Sequence, residues 1–225
     1  MRVAVAGGLF RMKPMKTLLW MPLLAATLLL APAHAQTTPS EPPATSTPAT
    51  EPAPLPTGPK AMAERPTQSS LPDTVSITGR PALIVSGDGL WEGGYDILRT
   101  IFQRLDAAAT KAGLKKTGYP IAIFRETTDT GFVFDAMLPI ETTPTATPAD
   151  FPPELKFGTT PSGSAFRFVY QASYDEIDGA YEQITAYLDA KDIAVEDTFI
   201  EEFLTMGAQS DDPATDINIY VKPKQ

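Results

Sequence analysis

Between positions 80 and 140 the apolar residues change period twice. RPALIVS (80–86) is a short apolar run of strand length and strand composition. In GGYDILRTIFQRLDAAATKAG (93–113), Ile97, Leu98, Ile101, Phe102, Leu105, Ala108, Ala109 and Ala112 recur three and four apart, the spacing of one helix face. YPIAIFRE (119–126) and FVFDAMLPI (132–140) then predict two strands joined by a turn at TTDTG.

The same order returns. AFRFVYQ (165–171) predicts a strand, residues 174–191 a helix with Ile177, Tyr181, Ile184 and Leu188 as its buried stripe, and FIEEFLTM (199–206) and DINIYVK (216–222) two further strands. Ser173 and Glu176 have the S-x-x-E spacing of a capping box, which marks the helix start. A shift of 79 positions lays Tyr95-Asp96 on Tyr174-Asp175 and Phe124 on Phe203 without a gap, with Leu98 on Ile177, Phe102 on Tyr181 and Ile121 on Ile200. The expectation is an α+β fold from a tandem duplication: two pseudosymmetric β-α-β-β modules, about 80–140 and 161–223, inside one domain over 73–225. Each module would set one main helix on one face of an antiparallel sheet, and the modules would meet at a central cleft, a common place for a small ligand.

Ahead of the repeats lie two segments of another character. Arg11, Lys13 and Lys16 precede an apolar run from Leu18 to Leu30 and then Ala33-His34-Ala35, the layout of a secretory signal peptide with cleavage after Ala35. Met12 and Met15 are equally suited as starts, and an uncleaved membrane anchor is the competing reading. Residues 36–72 hold ten of the 23 prolines among Thr, Ser, Ala and Glu, so this stretch lacks the apolar surface to fold and is expected to be a disordered linker.

Charge and composition narrow the chemistry. The chain carries 18 Lys+Arg against 27 Asp+Glu, net −9, and the four basic residues within 1–35 leave the mature protein more acidic still, at −13. Nucleic acid is thereby an unexpected partner, since phosphate binding needs Lys and Arg to replace counterions. The only histidine, His34, falls in the signal, and there is no cysteine. Ser-His-Asp and Cys-His nucleophiles, zinc sites with nitrogen or sulfur ligands, disulfides and a lipidated cysteine are all excluded from the mature chain. No metal and no cofactor is expected; QSDDPATD (209–216) lacks calcium-loop spacing and reads as a hairpin turn.

The second repeat carries a family resemblance. FGTTPSGSAFRFVYQASYDEIDGAYEQITAYL, followed by FIEEFL, then DDP and INIYVKP, resembles the GyrI-like (bacterial effector-binding) domain family, over roughly Arg80 to Pro223 and most sharply from Pro161. The resemblance implies two pseudosymmetric modules around a cleft that takes amphiphilic or cationic small molecules. It places Pro161 and Gly163 on the family's Pro-x-Gly, Tyr174 on the helix-opening Tyr, Glu201 on the cleft carboxylate and Phe203 on the aromatic two residues on. Ala172-Ser173 stands where the family has Gly-Pro, and Phe203 lacks the family's phenol. In many members the domain is fused to a DNA-binding segment; here the signal and linker occupy that space.

Within the strand at 199–206, Phe199, Glu201 and Phe203 share one face and Ile200, Glu202 and Leu204 the other. Each face holds an acid, so periodicity alone leaves the core face open. The first repeat has Pro120, Ala122 and Phe124 at the matching places, so the halves differ by one carboxylate at the cleft. Glu201 is read as counter-charge for a cation, with Phe199, Phe203, Trp91, Tyr95 and Tyr174 as aromatic walls. The plain alternatives are a solvated or ion-paired Glu201 and helix-packing roles for Tyr95 and Tyr174; Tyr181 and Tyr187 are assigned to core or surface. The preferred function is a periplasmic or secreted, non-enzymatic protein that binds an amphiphilic, cationic small molecule. A carboxylate/Tyr hydrolase of a small electrophile and an envelope interaction module are the alternatives, and the oligomeric state is left open.

Overall fold

The computed structural model describes residues 58–65, 72–148 and 150–224; the expected signal segment, its cleavage point and most of the linker lie outside the described residues. Eight strands and two helices follow in the order β1 (Asp73–Ile77), β2 (Pro81–Leu90), α1 (Gly94–Lys111), β3 (Ile121–Thr127), β4 (Gly131–Pro139), β5 (Lys156–Thr159), β6 (Gly163–Gln171), α2 (Ile177–Ala190), β7 (Val195–Thr205) and β8 (Asp216–Pro223). All strand pairs are antiparallel and form one sheet in the order β1-β6-β8-β7-β3-β4-β2-β5.

Read outward from the seam between β7 and β3, the order is β7-β8-β6 on one side and β3-β4-β2 on the other, each side a β-α-β-β module with its own helix. The two expected sheets are continuous, because β3 and β7 pair from Ile121↔Glu202 to Phe124↔Phe199. That register is symmetric about Ala122↔Glu201, two residues separated by the 79-position offset at which the halves of the sequence align. Beyond the expected strands, β1 and β5 extend the outer edges. β1 precedes the first module yet pairs with β6 of the second, and β5 precedes the second yet pairs with β2 of the first. Both are short, DTVSI and KFGT, and take their pairing from the neighbouring edge rather than from an apolar run of their own.

Gly93 opens α1 at φ 79, a left-handed conformation that glycine adopts without a Cβ penalty. Tyr95, Leu98, Phe102, Leu105 and Ala109 then form the buried stripe of α1, as Ile177, Tyr181, Ile184 and Leu188 do for α2. The capping box at Ser173 does not form. The Glu176 N–H that its hydroxyl would cap instead donates to the Ser173 carbonyl at 3.1 Å, tightening Tyr174–Glu176 into a 3-10 turn before α2.

Both helices pack on one face of the sheet, over a core that includes Leu83, Phe134, Ala136, Ile217 and Val221. The opposite face is apolar too: Ile121, Ile123, Met137, Ile200 and Tyr220 lie under Met62 and Ala63. Residues 58–65, inside the segment read as linker, are therefore packed on the sheet, and a polar clamp holds them. The Met62 N–H donates to Glu202 at 2.6 Å, and Arg167 donates to the carbonyls of Ala63 and Glu64, each at 2.8 Å. Arg167 also pairs with Asp73, while Arg65 donates to Asn218 at 2.6 Å and pairs with Asp216. Low-complexity composition hides part of this anchorage, because the contacts at Met62, Ala63 and Glu64 use backbone atoms, which carry no compositional signal.

Candidate functional site

The β3–β7 seam forms the floor of a cavity of about 160 Å³ on the helical face, between the N-terminal ends of α1 and α2. Because side chains alternate along a strand, Phe124 and Ala122 of β3 and Phe199 and Glu201 of β7 point the same way, and the register sets Phe124 opposite Phe199 and Ala122 opposite Glu201. A carboxylate at both central positions would have put two buried like charges directly across the pair. The methyl of Ala122 leaves room for one.

Glu201 has no solvent exposure. Its Oε1 accepts the Tyr181 hydroxyl at 2.5 Å and its Oε2 the Tyr174 hydroxyl at 3.0 Å. Tyr174 opens the 3-10 turn and Tyr181 follows it by seven residues in α2, so the turn and the helix it leads into aim two phenols at one carboxylate. Burial pushes the Glu201 carboxyl up to about 7, against the two phenol hydrogen bonds that favour its charged form. Burial, and then the charge of Glu201, hold both phenols well above their ordinary range, so they stay protonated donors.

Aromatic faces surround this carboxylate. Tyr181 meets Phe199 edge-on at 5.0 Å between ring centroids, and Trp91 packs on Phe132 at 4.6 Å and Phe124 at 6.1 Å. The Trp91 indole N–H donates to the Thr128 carbonyl at 2.7 Å, which fixes the ring at the wall. Tyr95 lies 5.0 Å from Tyr174 and donates its hydroxyl to the Gly207 carbonyl at 2.8 Å. Asp96, Asp175 and Asp178 add carboxylates around the cavity, and among the described residues its lining contains no Lys or Arg.

Five of the six residues expected at the site, Glu201, Phe199, Tyr174, Tyr95 and Trp91, line this cavity. Phe203 does not. It is buried behind Tyr174, with ring centroids 6.0 Å apart, and packs edge-on against Phe102 of α1 at 5.2 Å. Strand twist and the helix above carry that end of β7 into the core. Tyr181, assigned to core or surface from sequence, belongs to the site, and its seven-residue spacing from Tyr174 was the available signal. Phe124 and Phe132 were also missed; they come from the module without the acid, and only strand pairing brings them to Glu201. At the 209–216 turn, Asp212 accepts backbone N–H groups from Ala214 at 2.9 Å and Ala208 at 3.1 Å, a turn-forming use of its carboxylate.

By sequence, the chain matches no family model and no curated protein. Solved structures do match in shape. One is the EcmrR–DNA complex, at TM-score 0.53 and 14% identity, covering 68% of this chain and 57% of the EcmrR chain. Two from Listeria innocua, described as an uncharacterized conserved protein and as a hydrolase encoded by lin2189, match at TM-scores 0.52 and 0.50, each with 10% identity over 70% of this chain and 94% of theirs. The protein therefore has the GyrI-like fold, in keeping with the resemblance carried by residues 161–223.

Proposed function

We propose that this protein is an exported small-molecule binder whose cavity takes an amphiphilic cation, with Glu201 as counter-charge and Trp91, Tyr95, Tyr174, Tyr181, Phe124 and Phe199 as walls. One observation carries the reading: a carboxylate without solvent exposure faces a cavity whose lining, among the described residues, supplies aromatic rings and further carboxylates but no basic side chain. Removing a carboxylate from water is costly unless an opposite charge or donors replace the lost hydration. The two phenols replace part of it, and a bound cation supplies the rest. Each well-placed aromatic face adds about 0.5–2 kcal/mol of cation–π attraction. Export rests on the basic–apolar–small pattern of residues 1–35, and the acidic balance of the remaining chain suits a cationic ligand.

The test is a Trp91 fluorescence titration of the purified protein with cations, anions and neutral compounds, with Trp91→Phe as control for the signal. A response confined to cations, weakened at least several-fold in Glu201→Gln, is expected. Equal responses to anions, or equal cation affinity in Glu201→Gln, would remove Glu201 from the proposed role.

A second reading has one observation in its favour. A carboxyl titrating at about 7 within a cavity is matched to general-base activation of water at neutral pH. Turnover of a small electrophile, lost in Glu201→Gln, would favour a hydrolase over a binder; binding of cations without any mass change in candidate electrophiles would favour the binder.

A further inference from the structure

We infer that the cavity selects a compact quaternary onium head, of trimethylammonium type, over protonated amines and over bulky aryl cations. The inference rests on the cation reading above and adds to it which cation.

Size comes first. At about 160 Å³ the cavity is close to the roughly 150 Å³ apolar cavity that holds one benzene molecule. One trimethylammonium head fills such a space. An onium ion bearing four phenyl rings exceeds this volume, so it would bind either with rings left outside the cavity, where they lose the aromatic walls, or with Tyr174 and α2 displaced, which would break the Tyr174 and Tyr181 hydrogen bonds to Glu201.

Hydrogen bonding decides between cations of that size. A primary ammonium brings three N–H donors and must find acceptors for them on leaving water. At the cavity floor each Glu201 oxygen already accepts a phenol and keeps one further acceptor site, fewer than three ammonium N–H groups need, and the surrounding surfaces are the rings of Trp91, Phe124, Phe132 and Phe199. Such walls attract positive charge but accept little hydrogen bonding. A trimethylammonium head has no N–H to satisfy, spreads its charge over methyl groups and presents them to ring faces, the mode by which aromatic cages hold quaternary ammonium ions. The remaining acceptors, Thr127 at the end of β3, Ser210 and the carboxylates of Asp96, Asp175 and Asp178, come from the strand end, the helix starts and the 209–216 turn, where they suit the polar remainder of the ligand.

Four probes test this by calorimetric titration of the purified protein at pH 8: choline, ethanolamine as its protonated-amine counterpart, 3,3-dimethylbutan-1-ol as its neutral isostere, and tetraphenylphosphonium. Choline is expected to bind at least tenfold more tightly than each of the other three, and to lose at least tenfold in Glu201→Gln. Ethanolamine binding as tightly as choline would overturn the quaternary selectivity. Tetraphenylphosphonium binding as tightly as choline or more tightly would overturn the size selection and leave the cation reading standing. Preferential binding of the neutral isostere, or no binding of any of the four, would overturn this inference and count against the cation reading as well.

Discussion

Glu201 and Glu202 are consecutive in β7, have no solvent exposure, and face opposite sides of the sheet. Glu201 meets two phenols above a cavity, whereas Glu202 accepts the Met62 N–H at 2.6 Å, the Tyr220 hydroxyl at 2.8 Å and the Asn218 amide at 3.0 Å on the other face. A half-buried strand would leave one of these acids in water. Here helices cover one face and residues 58–65 the other, so each acid is held by donors, and the two differ in what lies beyond them: space for a ligand at Glu201, packed chain at Glu202.

The raised Glu201 carboxyl has a consequence for stability. Its folded-state value of about 7 lies above the ordinary 4.5 of the unfolded chain, so the folded state binds the proton more tightly between those values. Stability from this group is full below about pH 4.5 and is lost as pH rises through 7, by about 3 kcal/mol in all. Burial raises Glu202 as well, in the same sense. Denaturant unfolding at pH 5 and pH 8 should show wild type losing more stability than Glu201→Gln over this interval. Parallel pH profiles for the two proteins would contradict a carboxyl titrating in the cavity.

The two phenols favour the charged form of Glu201 against the larger effect of burial, so removing either hydroxyl should raise its titration point further. A hydrogen bond to a charged group contributes roughly 1.5–3 kcal/mol, equivalent to about one pH unit or more. Tyr181→Phe and Tyr174→Phe keep the rings and should each move the midpoint of pH-dependent cation binding upward by about one unit, with affinity recovering at pH 9. An unmoved midpoint in both variants would show that these hydroxyls do not govern the carboxyl.

Phe199 and Phe203 share a strand face but not an environment. Phe199→Leu removes a ring facing Tyr181 and should weaken cation binding several-fold with little loss of stability. Phe203→Leu should do the reverse, costing about 1–2 kcal/mol by leaving space between Tyr174 and Phe102 while changing affinity less than twofold. Thermal melts and titrations on both variants check the pair, and matched affinity losses would return Phe203 to the site.

Truncation tests the back-face clamp. A chain beginning at Asp73 keeps β1 but deprives Glu202 of the Met62 N–H and Arg167 of two carbonyl acceptors, besides uncovering Ile200 and Tyr220. Arg167 keeps Asp73 and Glu202 keeps Tyr220 and Asn218, and each lost hydrogen bond to a charged group costs roughly 1.5–3 kcal/mol. A chain beginning at Gly58 should therefore unfold at clearly higher denaturant concentration than one beginning at Asp73. Coincident unfolding curves would show that the clamp contributes nothing.

What could be read in advance followed the range of the interactions responsible. The helix stripes of Leu98–Phe102–Leu105 and Ile177–Tyr181–Ile184 are local, and so they were legible. So was Glu201, whose odd place between two Phe residues is a local pattern. The pairing of β1 with β6 is set by an edge some 90 residues away, as between Asp73 and Arg167, and left no trace in DTVSI. Tyr181 obeys the buried-stripe pattern so well that its hydroxyl's role was hidden by its ring's role. Phe203 fails in the opposite way: period two places it beside Glu201, yet twist and the ring of Phe102 take it into the core.

If Glu201 is the counter-charge of a bound cation, binding should displace the proton that its raised carboxyl holds near neutral pH. Calorimetric titration of choline into the protein at pH 7, repeated in buffers of different ionisation enthalpy, counts the protons released. With a carboxyl half-protonated near pH 7, about 0.5 proton should leave per choline bound, and none from Glu201→Gln. Binding without proton release, or the same release from wild type and Glu201→Gln, would contradict the assignment of Glu201 as the counter-charge.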